Sequence, residues 1–381
     1  MFACELIHEN PKVYRIQVPF PNVVTNETNC FVVVDGSDAL VIDTGAPGAA
    51  SARGLTETLR SIGVDSQEVR YFLTHTHYDH SGLLPCVAPR GATVYVNVRD
   101  FPSTQPGFGD GLAEYACRRF QEEGITGAAA CSASAAIVVS TELDLTGYAL
   151  TLVDEGSEIR VGRHVFKVIS TPGHTVGHMA LYEERSGICF TGDHVLFVIP
   201  PGLALRFGEG DALTSYIDSL KKISALSCSR LFISHGECRL DFEDRIEHLV
   251  EHHERRCLSL EQIIAEADPA ARRRGLTGHE IICKIPWRIP APVDECDALR
   301  RWSVYVQGIV MLDHLVRAGR IVRVRDELPA QVEGGVVLDG GEVADLSSVD
   351  AVTGPSLNGA GRPAFFAAVE RPRFVNRYLL S

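Results

Sequence analysis

The chain has 381 residues, 45% of them hydrophobic and 22% charged, and a formal net charge of −13. That balance excludes a disordered or fibrous chain and suits a globular protein with one large core and a second, smaller unit. No run reaches the roughly 18 apolar residues of a membrane span, and the opening residues MFACELIHENPKVYRIQV carry neither a basic nor a continuously apolar segment, so we expect a cytoplasmic protein with no membrane partner. Eleven cysteines, an odd number with none at C-x-x-C spacing, are expected to be reduced and mostly buried. The acidity is uneven: residues 1–238 hold 17 Lys and Arg against 27 Asp and Glu, residues 239–329 hold 15 against 16, and residues 330–381 hold 4 against 6. This disfavours nucleic acid as a partner without excluding it.

In chain order, CFVVVDG (30–36) and ALVIDTG (39–45) read as two strands joined by a Gly-Ser-Asp turn. Residues 49–64 have helical spacing, and VRYFLTHTHYDH (69–80) opens as a buried strand. Further strands are expected at 92–98, 136–140, 164–175, 179–184, 188–197 and 230–236, with helices at 111–123 and 212–226. Strands interleaved with helices and hairpins predict an α/β or α+β layered sheet protein covered by helices. Beyond residue 240 the pattern turns helical, with helices expected at 241–267, 276–285 and 297–319, then a strand at 320–327. These make a separate unit at 239–329, and residues 330–381 form an extension with only weak strand signals.

The chemistry concentrates in THTHYDHSG (74–82). A buried, unpaired carboxylate among histidines would be costly, so the cluster asks for a cation. In a strand-to-loop segment His75 and His77 point to the same side, while Asp79 and His80 can curl back from the turn. Imidazole and carboxylate donors at this density suit Zn²⁺, Fe or Mn better than the all-oxygen shells of Ca²⁺ or Mg²⁺. His174 in TPGHTVGH, Asp193 in TGDHV and His235 in ISHGE each follow an apolar run beside a glycine. Together they complete a set of five histidines and two aspartates in which Asp193 can bridge two ions.

These four motifs, in this order over roughly residues 12–238, resemble the metallo-β-lactamase superfamily. The resemblance implies a four-layer αββα sandwich with a dinuclear metal site at the edge of two sheets. It places His75, His77 and His174 at one metal, Asp79, His80 and His235 at the other, Asp193 between them, and Asp43 in support behind the ligands. His77 stands where diiron flavoproteins of the superfamily carry Glu, which argues against that branch. The helical unit at 239–329 is similar to the winged-helix-like extension of the lactamase-beta-like hydrolases, a group that includes an endoribonuclease. Residues after about 330 lie outside the resemblance.

Two divalent ions, most simply Zn²⁺, would share a water made acidic enough to attack as a bridging hydroxide, with Asp79 orienting it and taking its proton. Ser81 is expected to serve the turn or a helix cap, and Tyr78 to pack. Loops 98–120 and 196–211 should set the substrate. In the second of these, Phe197, Leu203 and Phe207 offer an apolar wall and Arg206 an anion contact. The first functional reading is hydrolysis of a carboxylic derivative, a small-molecule thioester of the glyoxalase II-like or acyl type, or a lactone. Alternatives are an endoribonuclease or phosphodiesterase, a mononuclear iron persulfide dioxygenase, and a binding protein without activity. A homodimer is compatible with the sequence.

Overall fold

The computed structural model describes residues 1–20, 25–64, 68–101, 108–126, 143–205, 210–327 and 374–381. A seven-stranded sheet runs in chain order through β1 (Cys4–Glu9), β2 (Lys12–Pro19), β3 (Glu27–Asp35), β4 (Asp38–Ile42), β5 (Glu68–Phe72), β6 (Thr93–Val96) and β7 (Ala149–Leu152). Its first four strands pair antiparallel and the last four parallel. The expected hairpin is present, with Asp35 opposite Asp38 across the Gly36–Ser37 turn. A second sheet is built from β8 (Glu158–Val161), β9 (His164–Ser170), β10 (Met179–Glu183), β11 (Ile188–Gly192) and β12 (Arg230–Ile233), in the order β12-β11-β10-β9-β8. The predicted strand at 136–140 lies outside the described residues.

Side-chain alternation fastens the sheets together. Phe31, Val33, Leu40 and Ile42 point between the sheets, whereas Cys30, Val32, Ala39 and Val41 point outward. Phe166, Val168, Met179, Leu181, Ile188, Phe190 and Phe232 meet the first set from the other sheet. Phe31 sits 5.3 Å from Phe190 and 5.5 Å from Phe232, ring centre to ring centre. Since both faces of the central strands are covered, their sequences read as unbroken apolar runs. Leu55 and Leu59 of α1 (Ala49–Ser61) and Leu84 of α3 (Leu84–Val87) cover the first sheet. Leu213, Tyr216, Leu220 and Ile223 of the helix α5 (Ala212–Ser224) cover the second. The result is the four-layer αββα order. Two further helices, α2 (Tyr78–Ser81) and α4 (Phe108–Glu122), stand at the sheet edge and beside it.

The remaining elements are α6 (Phe242–Ala265), α7 (Pro269–Arg274), β13 (Leu276–Thr277), α8 (Gly278–Ile282), α9 (Ala298–Arg317), β14 (Ile321–Glu327) and β15 (Phe374–Leu380). The helix predicted at 276–285 starts later, because Leu276 and Thr277 pair with Tyr378 and Arg377 instead. The extension after 330 ends as β15, the central strand of a small antiparallel sheet ordered β13-β15-β14. One buried apolar cluster continues from the outer face of the second sheet through α5 into α6 and α9. Phe120 of α4 carries it across, 5.1 Å from Trp302 and 5.9 Å from Tyr305. Among the described residues no helix is long and apolar enough to cross a membrane.

Candidate metal centre

Strand ends and the loops after them supply every donor. The chain leaves β4 at Asp43, whose φ of +58° is a left-handed conformation that Asp tolerates better than most residues. That turn aims its carboxylate across the end of β5. One oxygen accepts the Thr74 amide at 2.9 Å, and the other accepts the Thr74 hydroxyl and His80 Nδ1, each at 2.8 Å. The backbone carbonyl of His80 accepts both the amide and the hydroxyl of Thr44. Ser81 donates to the carbonyls of Thr76 and His77 at 3.1 Å each and closes the short turn of α2, as expected of a turn residue. Two glycines permit close approach: a Cβ on Gly173 would stand 2.5 Å from that of Tyr216, and one on Gly192 would stand 2.7 Å from His178 Nε2. Both have positive φ, so a side chain would meet strain as well as collision.

The rings of His75, His174 and His235, like that of His80, are fixed through the nitrogen that faces away from the centre. His75 Nδ1 lies 3.0 Å from the Thr74 hydroxyl, His174 Nδ1 2.6 Å from the Gly202 carbonyl and His235 Nδ1 2.6 Å from the Glu27 carbonyl. These bonds leave the Nε2 atoms as lone pairs facing inward. His77 Nδ1 sits 3.0 Å from His75 Nε2 and 2.9 Å from His174 Nε2, so three nitrogens crowd one point. Across from them, His235 Nε2 lies 3.4 Å from Asp79 and 3.3 Å from Asp193, and His80 Nε2 3.8 Å and 3.4 Å from the same two carboxylates. Asp193 faces both halves: Oδ1 points to His80 and His235, while Oδ2 lies 3.5 Å from His174 Nε2. All seven predicted ligands therefore meet, as the groups His75–His77–His174, His75–His80–Asp193 and Asp79–His80–His235.

The donor set fits divalent ions. A proton on His77 Nδ1 cannot bond well to two facing lone pairs at once, and His80 Nε2 and Asp193 Oδ1 are buried with no hydrogen-bond partner. Electrostatics divide the centre. Burial, reinforced by neighbouring imidazoles, holds His75 well below its usual pKa and brings His77 to about 3, so that half offers neutral nitrogens. Burial also opposes charge on His235, but Asp193 and Asp79 prevail and raise it to about 10. His80 is likewise raised well above its ordinary value despite burial, by Asp193, Asp79 and Asp43. That half attracts positive charge, which a metal cation would supply in place of protons.

Three supporting residues carried no signal strong enough to single out in the sequence. Buried Asp100 accepts from the Gly177 amide at 2.5 Å, the Thr76 amide at 3.3 Å and the Thr175 hydroxyl, tying the His75–His77 loop to the His174 loop. Burial outweighs those bonds and raises its carboxyl to about 6. Asn29 donates to the carbonyls of Ile233 and Gly236 and so frames the loop bearing His235. His178 lies within 2.7 Å of the Thr171 hydroxyl and accepts the Asp193 amide at 3.2 Å. Its place in TPGHTVGH, four residues after His174, was the available clue.

The residues expected to touch substrate are spread out. Leu203 is 4% exposed and belongs to the core, so its side chain is not an open apolar wall. Phe197 is half-buried with the Arg239 guanidinium 5.0 Å above its ring. Arg206 and Phe207, and parts of both predicted specificity loops, lie outside the described residues. Among the described residues Val198 is an exposed apolar side chain near the centre: it is 47% exposed and would meet a Cβ on Gly236, the residue after His235, at 2.7 Å. Tyr78 packs edge-on against Phe20 at 5.3 Å, in keeping with the packing role expected of it.

Fold and site together define a metal-dependent hydrolase scaffold of two facing sheets with a histidine–aspartate centre at their edge. The profile of the metallo-beta-lactamase superfamily matches residues 24–235, and the chain belongs to that superfamily as one of its hydrolase-type enzymes. It is 25% identical over 299 residues to "Lactamase-like protein nscB" of Arthroderma gypseum, covering 76% of this chain and 79% of that one. It is 28% identical over 235 residues to "Probable metallo-hydrolase YqjP" of Bacillus subtilis, covering 59% and 72%. A beta-lactamase domain protein from Burkholderia ambifaria shares the fold, with a TM-score of 0.67 at 21% identity over 84% of this chain and 91% of that one.

Proposed function

We propose that the protein hydrolyses a small-molecule carboxylic derivative, most simply an acyl thioester of the glyoxalase II-like or acyl-carrier type, or a lactone, with two divalent metal ions. The observation that carries this reading is Asp193, buried between two completed ligand groups and facing both. His75, His77 and His174 would hold one ion, Asp79, His80 and His235 the other, and Asp193 both. When bound, such ions supply Lewis acidity toward a carbonyl oxygen and a water acidic enough to attack near neutral pH. Asp79 is held below the usual carboxylate range, burial being outweighed by His80 and His235, and is therefore an ionised acceptor for the proton that the attacking water loses. Water serves as the nucleophile in this reading, since the hydroxyl of Ser81, next to His80, is engaged with the carbonyls of Thr76 and His77.

Val198 and the Phe20–Tyr78 pair give the surroundings of the centre an apolar character that suits an acyl group. A nuclease would need free cations for phosphate, and the basic runs Arg255–Arg256 and Arg272–Arg274 of the helical unit are largely engaged within the chain. Arg255 pairs with Glu251, Arg256 stacks 4.6 Å from Trp287, Arg272 donates to the Ala267 carbonyl, and Arg274 grips Glu280. We also propose that the unit around α6, α8 and α9 is winged-helix-like, since its elements run two helices, a strand, two helices and two strands. The deciding experiment challenges Zn-, Mn- and Fe-loaded protein with thioesters, lactones, phosphodiesters and RNA. Thioester or lactone turnover that His75→Ala reduces by at least 1000-fold is expected. Turnover confined to RNA or phosphodiesters would replace this reading, and one iron per chain with oxygen consumption would favour the dioxygenase.

A further inference from the structure

We propose that His279, Cys283 and Asp294 form a further metal site, separate from the seven-residue centre, that takes one borderline divalent ion such as Zn²⁺. An imidazole nitrogen, a thiol sulfur and a carboxylate oxygen from these residues all lie within 4.8 Å of one another, and none belongs to the centre described above. Nitrogen, sulfur and oxygen together form a donor set suited to zinc.

The chain presents these donors on a supported frame. His279 and Cys283 are one helical turn apart, and the Cys283 amide donates to the His279 carbonyl at 3.0 Å, so both side chains leave the same face. That turn is held at its start by a capping box between Thr277 and Glu280 and by Arg274 on Glu280. The His279 amide is fixed in addition to the Glu123 carbonyl at 2.8 Å. Asp294 comes from a 3₁₀ turn (Val293–Glu295), where its carbonyl accepts from Arg301 at 3.0 Å. The buried Tyr305 of α9 donates its hydroxyl to Asp294 Oδ1, and His279 Nε2 lies 3.4 Å from Oδ2 and 3.5 Å from Oδ1. An ion about 2 Å from each of two tetrahedral ligands would set them about 3.3 Å apart, close to this spacing. Cys283 and Asp294 are exposed, so an ion has a route in and a water can complete the shell.

Binding replaces the Cys283 S–H proton, released to solvent, with a metal–thiolate bond. The ion would join α8 to the segment before α9. Cysteine also makes the site separately observable, because the seven residues of the main centre offer only nitrogen and oxygen. The test strips the reduced full chain of metal, titrates it with Co²⁺ and records the near-ultraviolet thiolate-to-cobalt charge-transfer band. A band whose amplitude corresponds to one thiolate-bound cobalt per chain, in addition to the ions that the main centre takes, is expected, absent in Cys283→Ser and shifted to at least 10-fold higher cobalt in Asp294→Asn. Because Cys283 and Asp294 are exposed, both variants should fold, and an unchanged thermal transition of the stripped proteins verifies it. No band in the wild-type chain, or one that survives Cys283→Ser, overturns the proposal. Failure of the hydrolase reading would leave the band unaffected, since the two sites share no residue.

Discussion

Asp43 shows how much of the centre depends on a residue with no ligand role. Its two oxygens orient Thr74 by amide and hydroxyl and fix His80 through Nδ1, and Thr74 in turn contacts His75. Asp43→Asn should therefore weaken metal binding by about 10- to 100-fold, measured by chelator competition, with the fold retained by circular dichroism. Unchanged affinity would mean that the His80 ring is held by packing alone. Asp100 makes a parallel case between two ligand loops. Asp100→Ala strands the Gly177 and Thr76 amides and should cost about 2 kcal/mol in denaturant unfolding, together with a loss of bound metal. The seven ligands were legible because histidines and aspartates stood at strand ends in recurring motifs. Asp43 was legible only through family resemblance. Asp100 and Asn29 were not, because apart from Thr76 the partners that place them lie 75 or more residues away along the chain.

At the scale of elements, the loop after Asp193 is held from the helical side. The Tyr216 hydroxyl of α5 donates to the His194 carbonyl at 2.9 Å, and Arg245 of α6 donates to the Leu196 carbonyl at 2.6 Å. The helix α5 starts at Asp211, which accepts the Leu213 and Thr214 amides and pairs with His314 of α9 at 2.8 Å. Burial alone would raise the Asp211 carboxyl, but the bonds from His314 and Thr214 bring it from the ordinary 3.8 to about 2. A depressed folded pKa favours the folded state where the carboxylate is ionised. That stabilisation is present above about pH 4 and is lost as pH falls toward 2. Asp211→Ala should cost about 1 kcal/mol near pH 6, and the gap to wild type should narrow between pH 4 and pH 2 in urea melts. A gap independent of pH would assign the effect to helix propensity.

At the scale of the molecule, α4 and the last strand meet around a buried carboxylate. Glu123 accepts from Arg119 at 2.8 Å, from Asn376 at 2.9 Å and from the Tyr378 hydroxyl at 2.8 Å. Arg119 reaches on to Asp313 of α9 at 3.1 Å. With a continuous apolar cluster beneath this network, the αββα layers and the helical unit should unfold in one transition. Glu123→Ala removes the shared acceptor and leaves Arg119 partly unpaired, so a loss of about 3 kcal/mol is expected in calorimetry or urea melts. A helical unit that melts separately from the sheets would contradict this account of the interface.

The sequence by itself determined the strand and helix alternation of the sandwich, the two long C-terminal helices and all seven candidate ligands. Those features follow from local periodicity and from side chains whose chemistry has few structural uses. It left β1, β2, β7 and β8 unassigned, being short, edge or half-polar strands whose identity depends on a partner. Only the tertiary structure decided that residues 374–380 form the middle of a sheet, since the pairing of Tyr378 with Leu276 and Arg323 joins distant segments. It also moved Leu203 into the core and brought Val198 beside His235, because a run of apolar residues does not state which of them the core will take.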